Sequence, residues 1–124
     1  MSIQESGEMY LESILVLSKR NPNVRAIDIS EYMGFSKPSV SRALSVLKSG
    51  GFVTVSDQGY LKLTEDGKNI AEKIYERHTV LTNYLILIGV DKDVASQDAC
   101  KMEHVVSDES FNAIKHQVKL LSEN

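Results

Sequence analysis

The chain has a single cysteine, so no intrachain disulfide can form and a reducing cytoplasm is the expected compartment. No apolar run approaches the length of a membrane span, and the N-terminus lacks a signal-peptide pattern, so no membrane partner is expected. Internal repeats, low-complexity segments and linkers long enough to separate independent domains are missing too. What remains in 124 residues is one domain, or two small ones sharing a core. At 42% hydrophobic and 25% charged the composition is ordinary for a globular chain. Even charge of one sign is scarce, with a net of −3, but that small number hides an uneven spread. Residues 1–63 carry seven Lys/Arg against six Asp/Glu, whereas residues 64–124 carry seven against eleven. The acidic second half suits subunit contacts or cation binding, and any polyanion should meet the first half.

The stretch from Asp28 to Lys48 reads as a short helix, a tight turn at Gly34, and a second helix entered through Ser36-Lys37-Pro38. Ala26, Ile29, Ser30 and Met33 share one face of the first helix, and Val40, Leu44 and Leu47 one face of the second. Gly34 supplies the permissive backbone, Ser36 the N-cap, and Pro38 sits where a helix tolerates proline. A generic helical hairpin explains this spacing equally well. The outer face of the second helix (Lys37, Ser39, Arg42, Ser45 and Lys48) favours DNA. It has three cations and no acid, with small hydroxyl side chains that permit close approach in a major groove. Ser36, Lys37, Pro38, Ser39, Arg42 and Lys48 are therefore the expected DNA-contacting residues.

Before this unit, residues 6–20 read as a helix with Leu11, Ile14 and Leu15 inward, ended by Asn21-Pro22-Asn23. After it, Gly50-Gly51 stops the helix, and residues 52–56 and 60–64 read as strands joined through Asp57-Gln58-Gly59. Three helices followed by a hairpin make a winged helix, with Ser56, Gln58 and Lys62 at the wing for backbone contacts. A long helix opens at Thr64-Glu65-Asp66 and runs to about Ile88, with Ile70, Ile74, Leu81, Leu85 and Ile88 in one stripe widened by Val80 and Tyr84. So much apolar surface on one helix calls for self-association, and a homodimer is expected. Asp91 caps a fifth helix through about Val106, and Ser107-Asp108-Glu109 starts a sixth with Phe111, Ile114, Val118 and Leu121 inward and His116 exposed. The expected fold is mainly α, with a winged helix-turn-helix over 1–63 and a helical dimerisation and metal-binding region over 64–124.

Cys100, Glu103 and His104 stand at i, i+3 and i+4 of the fifth helix. A thiolate, a carboxylate and an imidazole within one turn form half of a divalent-metal site, or else a buried cysteine flanked by two surface residues. Further ligands must come from other elements. Met9 and Glu12 share one side of the first helix, where the ordinary reading is a core methionine beside a surface glutamate. His78 falls within the apolar stripe, the usual place of a satisfied core histidine.

Taken together, the sequence resembles the diphtheria toxin repressor and manganese transport regulator family of metal-activated transcriptional repressors. The resemblance covers nearly the whole chain. It is carried by Glu8-Met9-Tyr10-Leu11, Ser36-Lys37-Pro38-Ser39-Val40, Leu63-Thr64-Glu65-Asp66-Gly67, Arg77-His78 and Ile88-Gly89-Val90-Asp91. The most specific piece is Ala99-Cys100-Lys101-Met102-Glu103-His104, followed by Ser107-Asp108-Glu109. The resemblance implies a primary metal site in which Met9, Cys100, Glu103 and His104 match the iron-responsive branch, while Glu12 and His78 match ligands of the manganese-responsive branch. The chain departs from the iron branch at that branch's ancillary metal site, where Thr82 and Ser96 stand in place of a carboxylate and a histidine. The chain stops near Asn124, as in short regulators without the C-terminal SH3-like module.

These features predict a Fe2+- or Mn2+-dependent repressor of metal-homeostasis genes, binding operator DNA as a cytoplasmic homodimer. Thioether and thiolate ligands lean toward Fe2+, and Co2+, Ni2+ or Zn2+ can substitute in vitro. The alternative is a winged-helix regulator with Cys100 as a redox-sensing thiol. An enzyme, with Cys100 as nucleophile and His104 as base, is not expected, since no oxyanion-hole loop or third orienting group is evident, and with it no small-molecule substrate.

Overall fold

The computed structural model describes residues 5–123. Its elements run α1 Glu5–Arg20, α2 Ala26–Met33, α3 Lys37–Ser49, β1 Val53–Val55, β2 Leu61–Leu63, α4 Glu65–Leu87, α5 Lys92–Met102 and α6 Asp108–Ser122. The chain divides into two compact units within α4, between Glu72 and Lys73. None of the described helices is long and apolar enough to cross a membrane.

The first unit is a winged helix. Leu11 and Ile14 of α1, Ile29 of α2, and Val40 of α3 are fully buried in one core, joined by Val53 and Leu61 of the wing. Fully burying side chains of this size stabilises the unit by about 1.5–3 kcal/mol each. As expected, Gly34 adopts φ 73°, and its N–H caps α2 on the carbonyl of Ser30 at 2.9 Å. Ser36 Oγ accepts the N–H of Ser39 to start α3. At the other end of α3, Gly51 at φ 82° lets Phe52 N–H reach the carbonyl of Leu47 at 3.0 Å, which turns the chain into the wing.

The wing strands are antiparallel, with Val53 opposite Leu63 and Val55 opposite Leu61. Each is three residues long, shorter than the five-residue runs in the sequence, and the turn closes through Ser56 N–H on the carbonyl of Tyr60 at 2.9 Å. Two contacts invisible to periodicity anchor the wing to the segment before α2. Leu61 N–H donates to the carbonyl of Val24 at 2.7 Å, and the Arg25 guanidinium lies 4.7 Å from the Tyr60 ring centre.

The second unit has a much smaller core of Leu81, Ala99 and Phe111, with Val80, Met102, Val106 and Ile114 packed around it. Ile88 leaves the expected stripe: α4 ends at Leu87, Gly89 turns the chain at φ 105°, and Ile88 is exposed. Ile86, Leu87, Val94, Val105 and Leu120 are exposed as well. The fifth helix also ends earlier than expected, at Met102 instead of Val106. Beyond it the carbonyls of Glu103 and Val106, left without helical partners, accept hydrogen bonds from Arg77, at 3.1 and 2.6 Å.

Candidate DNA-reading face and metal centre

The helix α3 buries Val40, Leu44 and Leu47 and turns its other side to solvent. On that side Lys37, Pro38, Arg42, Ser45 and Lys48 are exposed, with Ser36 just before the helix and Ser39 half-buried. Ser36 Oγ donates to Ser39 Oγ at 2.9 Å, and Arg42 Nη2 reaches Ser39 Oγ at 3.5 Å, so the N-terminal turn is preset around its serines. Among the described residues, none of Lys37, Arg42 and Lys48 is held in an ion pair, which leaves three cations to meet phosphates or base edges. Val46, at 66% exposure, lies outside the expected set; its methyls suit contact with a thymine methyl.

The expected metal ligands fall in both units. Met9 and Glu12 are half-buried on α1 of the first, where the Met9 carbonyl accepts the Ser13 hydroxyl at 2.8 Å. In the second unit three of the expected ligands come together. His78, on α4, places Nδ1 2.9 Å from Glu103 Oε2, and His104 places Nε2 3.3 Å from Glu103 Oε1. Glu103 and His104 lie on the turn just after α5, not within the helix as the i, i+3, i+4 spacing suggested. Cys100, half-buried, occupies the last turn of α5.

Glu103 is fully buried, and its Oε1 accepts no hydrogen bond. A buried carboxylate oxygen left in that condition is costly, and a cation is one of the few groups that relieve it. The two imidazoles flank the carboxylate on different oxygens, His78 Nδ1 at 2.9 Å from Oε2 and His104 Nε2 at 3.3 Å from Oε1. Imidazole and carboxylate donors suit a first-row divalent metal, and a thiol is a softer donor.

The feature that sequence reasoning missed is Arg77, which is buried among carbonyls. Besides Glu103 and Val106 it binds Asp108 Oδ1 through Nη2 at 2.5 Å, and its guanidinium lies 5.3 Å from the Phe111 ring centre. Lys73 also reaches Asp108 Oδ1, at 3.3 Å. Lys73 first, and Arg77 after it, hold the Asp108 carboxyl below the usual aspartate range. The only sign of Arg77 in the sequence is its place directly before His78.

Two family models match the chain. The iron dependent repressor N-terminal DNA binding domain covers residues 2–67, and the iron dependent repressor metal binding and dimerisation domain covers residues 64–124. The transcriptional regulator MntR of Escherichia coli is 32% identical over 86% of this chain and 68% of its own length. The diphtheria toxin repressor of Corynebacterium diphtheriae is 30% identical over 85% of this chain and 47% of its own. Among solved structures, the manganese regulator SloR superposes with a TM-score of 0.82 at 27% identity, covering 96% of this chain and 55% of that one. The chain thus spans about two thirds of the length of the first relative and about half of the other two.

Proposed function

The chain belongs to the iron-dependent repressor family, and from that premise we propose that it is a cytoplasmic, homodimeric repressor whose hold on operator DNA is switched on by Fe2+ or Mn2+. The observation that carries the metal half of this reading is Glu103, a buried carboxylate with one oxygen unsatisfied between two imidazoles. His78, Cys100, Glu103 and His104 would hold the ion, and Met9 or Glu12 of α1 would complete its ligand set. The bound ion supplies positive charge to a buried acid and a fixed geometry to the side chains around it. The acid-free outer face of α3 supplies the DNA half. Lys37, Arg42 and Lys48 meet phosphate and base edges, and Ser36, Pro38 and Ser39 allow close approach. The exposed apolar residues of the second unit serve a twin subunit, which sets two α3 helices for the halves of a palindromic site. In this reading thiol and imidazole act as ligands and no catalytic step is involved.

The test is anaerobic fluorescence-anisotropy titration of operator-like duplexes with chelator, Mn(II) and Fe(II) in parallel. Tight binding with one metal and weak binding with chelator is expected, and Fe(II) is favoured by the sulfur donors. Equal affinity in all three conditions would remove the metal switch.

A further inference from the structure

We infer that Arg77 is a positioning residue for the metal centre: it holds the turn carrying Glu103 and His104 in ligand geometry, and Asp108 holds Arg77. The inference rests on the metal reading above and adds to it a residue that ligates nothing itself. Consecutive residues of α4 grip opposite sides of one target. His78 engages the Glu103 side chain through Nδ1, while Arg77 engages the Glu103 backbone carbonyl through Nη1. The same Nη1 donates to the carbonyl of Val106, so Arg77 spans the short turn from Glu103 to Val106 that contains His104. The planar guanidinium is suited to this task because its fixed fork satisfies several acceptors at once, which an ammonium cannot do in the same geometry.

Charge requires a second partner. A buried guanidinium beside a cation site opposes metal entry unless it is neutralised. Asp108, at the start of α6, supplies the neutralising carboxylate at 2.5 Å, and Phe111 one turn on packs against the guanidinium. One side chain therefore links α4, the ligand-bearing turn and α6. Groups that fix metal ligands from behind typically contribute 10–100-fold to metal affinity.

The test is Co(II) titration of the full chain, read by ligand-field absorption, for wild type, Arg77→Lys, Asp108→Asn and Lys115→Ala. Lys115→Ala is the control: it breaks an α4–α6 ion pair with Glu76 that does not touch the ligand-bearing turn. Arg77→Lys is expected to weaken Co(II) binding by about ten-fold or more. Asp108→Asn should give a smaller loss in the same direction, and Lys115→Ala should match wild type. Asp108 is an exposed residue at a helix start, so its variant keeps the test alive if Arg77→Lys fails to fold. Circular dichroism of the metal-free proteins at the titration temperature establishes that each is folded. Wild-type affinity in folded Arg77→Lys or Asp108→Asn, or an equal loss in Lys115→Ala, overturns the inference. A wild-type protein that binds no Co(II) would instead overturn the metal reading itself.

Discussion

At the residue scale, the side chains that matter most are those whose partners are far away in sequence. The proposed ligands of the second unit can be named from sequence alone because a cysteine, a glutamate and a histidine within five residues are visible without a fold. Arg77 was not, because its acceptors on Glu103 and Val106 lie 26 and 29 residues on and are backbone carbonyls, which no side-chain pattern announces. Its carboxylate partner gives a prediction in pH. Lys73 and Arg77 lower the native pKa of Asp108, so the unfolded state takes up its proton first as pH falls. The stability Asp108 contributes is therefore complete above the ordinary aspartate range and is lost as pH drops through its depressed native value. In chelator, wild type should melt above Asp108→Asn at neutral pH, and the gap should close progressively below about pH 4. A gap that persisted unchanged at pH 2 would mean that the ion pair contributes nothing. The group is exposed, so high salt should narrow the gap at neutral pH as well.

At the scale of elements, helix starts were legible and helix ends less so. Ser36, Asp91 and Ser107 each cap the N–H groups of the next turn, a local interaction that the sequence displays directly. The end of α5 is less plain, because the turn from Glu103 to Val106 keeps helix-like backbone bonds to Met102 while its free carbonyls pair with Arg77 of another helix. Gly67 shows a similar dependence on the fold. In the sequence it is visible only as part of a motif opening α4, but in the fold a Cβ there would overlap the carbonyl oxygen of Phe52. Alanine is intrinsically the better helix former by about 1 kcal/mol, yet backbone overlap of this kind reverses the sign. Gly67→Ala should therefore destabilise the first unit by about 2 kcal/mol or more in urea unfolding. Neutral or increased stability would show that the entry to α4 can shift without cost. For α3 the prediction concerns binding. Arg42→Ala removes an exposed cation that makes no core contact, so it should leave stability unchanged and weaken operator binding by about 1–3 kcal/mol. Co(II) affinity of the free protein should not move.

At the scale of the whole molecule, the proposed function is a coupling free energy between an ion and a DNA site, and such a coupling must be reciprocal. If metal tightens operator binding 100-fold, saturating operator must tighten metal binding by the same factor, about 2.7 kcal/mol in either direction. The uneven charge of the chain, +1 over residues 1–63 and −4 over residues 64–124, separates the two ligands without coupling them. Coupling has to come from groups that differ between metal-bound and metal-free states. This distinguishes two kinds of variant. Arg42→Ala weakens DNA contact with or without metal, so both affinities fall together and the coupling factor survives. Cys100→Ala, by removing a proposed ligand, should reduce metal affinity and shrink the coupling factor while leaving the chelator-state DNA affinity as in wild type. The complete thermodynamic square, with operator affinity measured in chelator and in saturating metal and metal affinity measured with and without operator, checks both variants against wild type. Unchanged metal-dependent operator affinity in Cys100→Ala would take the thiol out of the ligand set and leave His78, Glu103 and His104 as the second unit's donors.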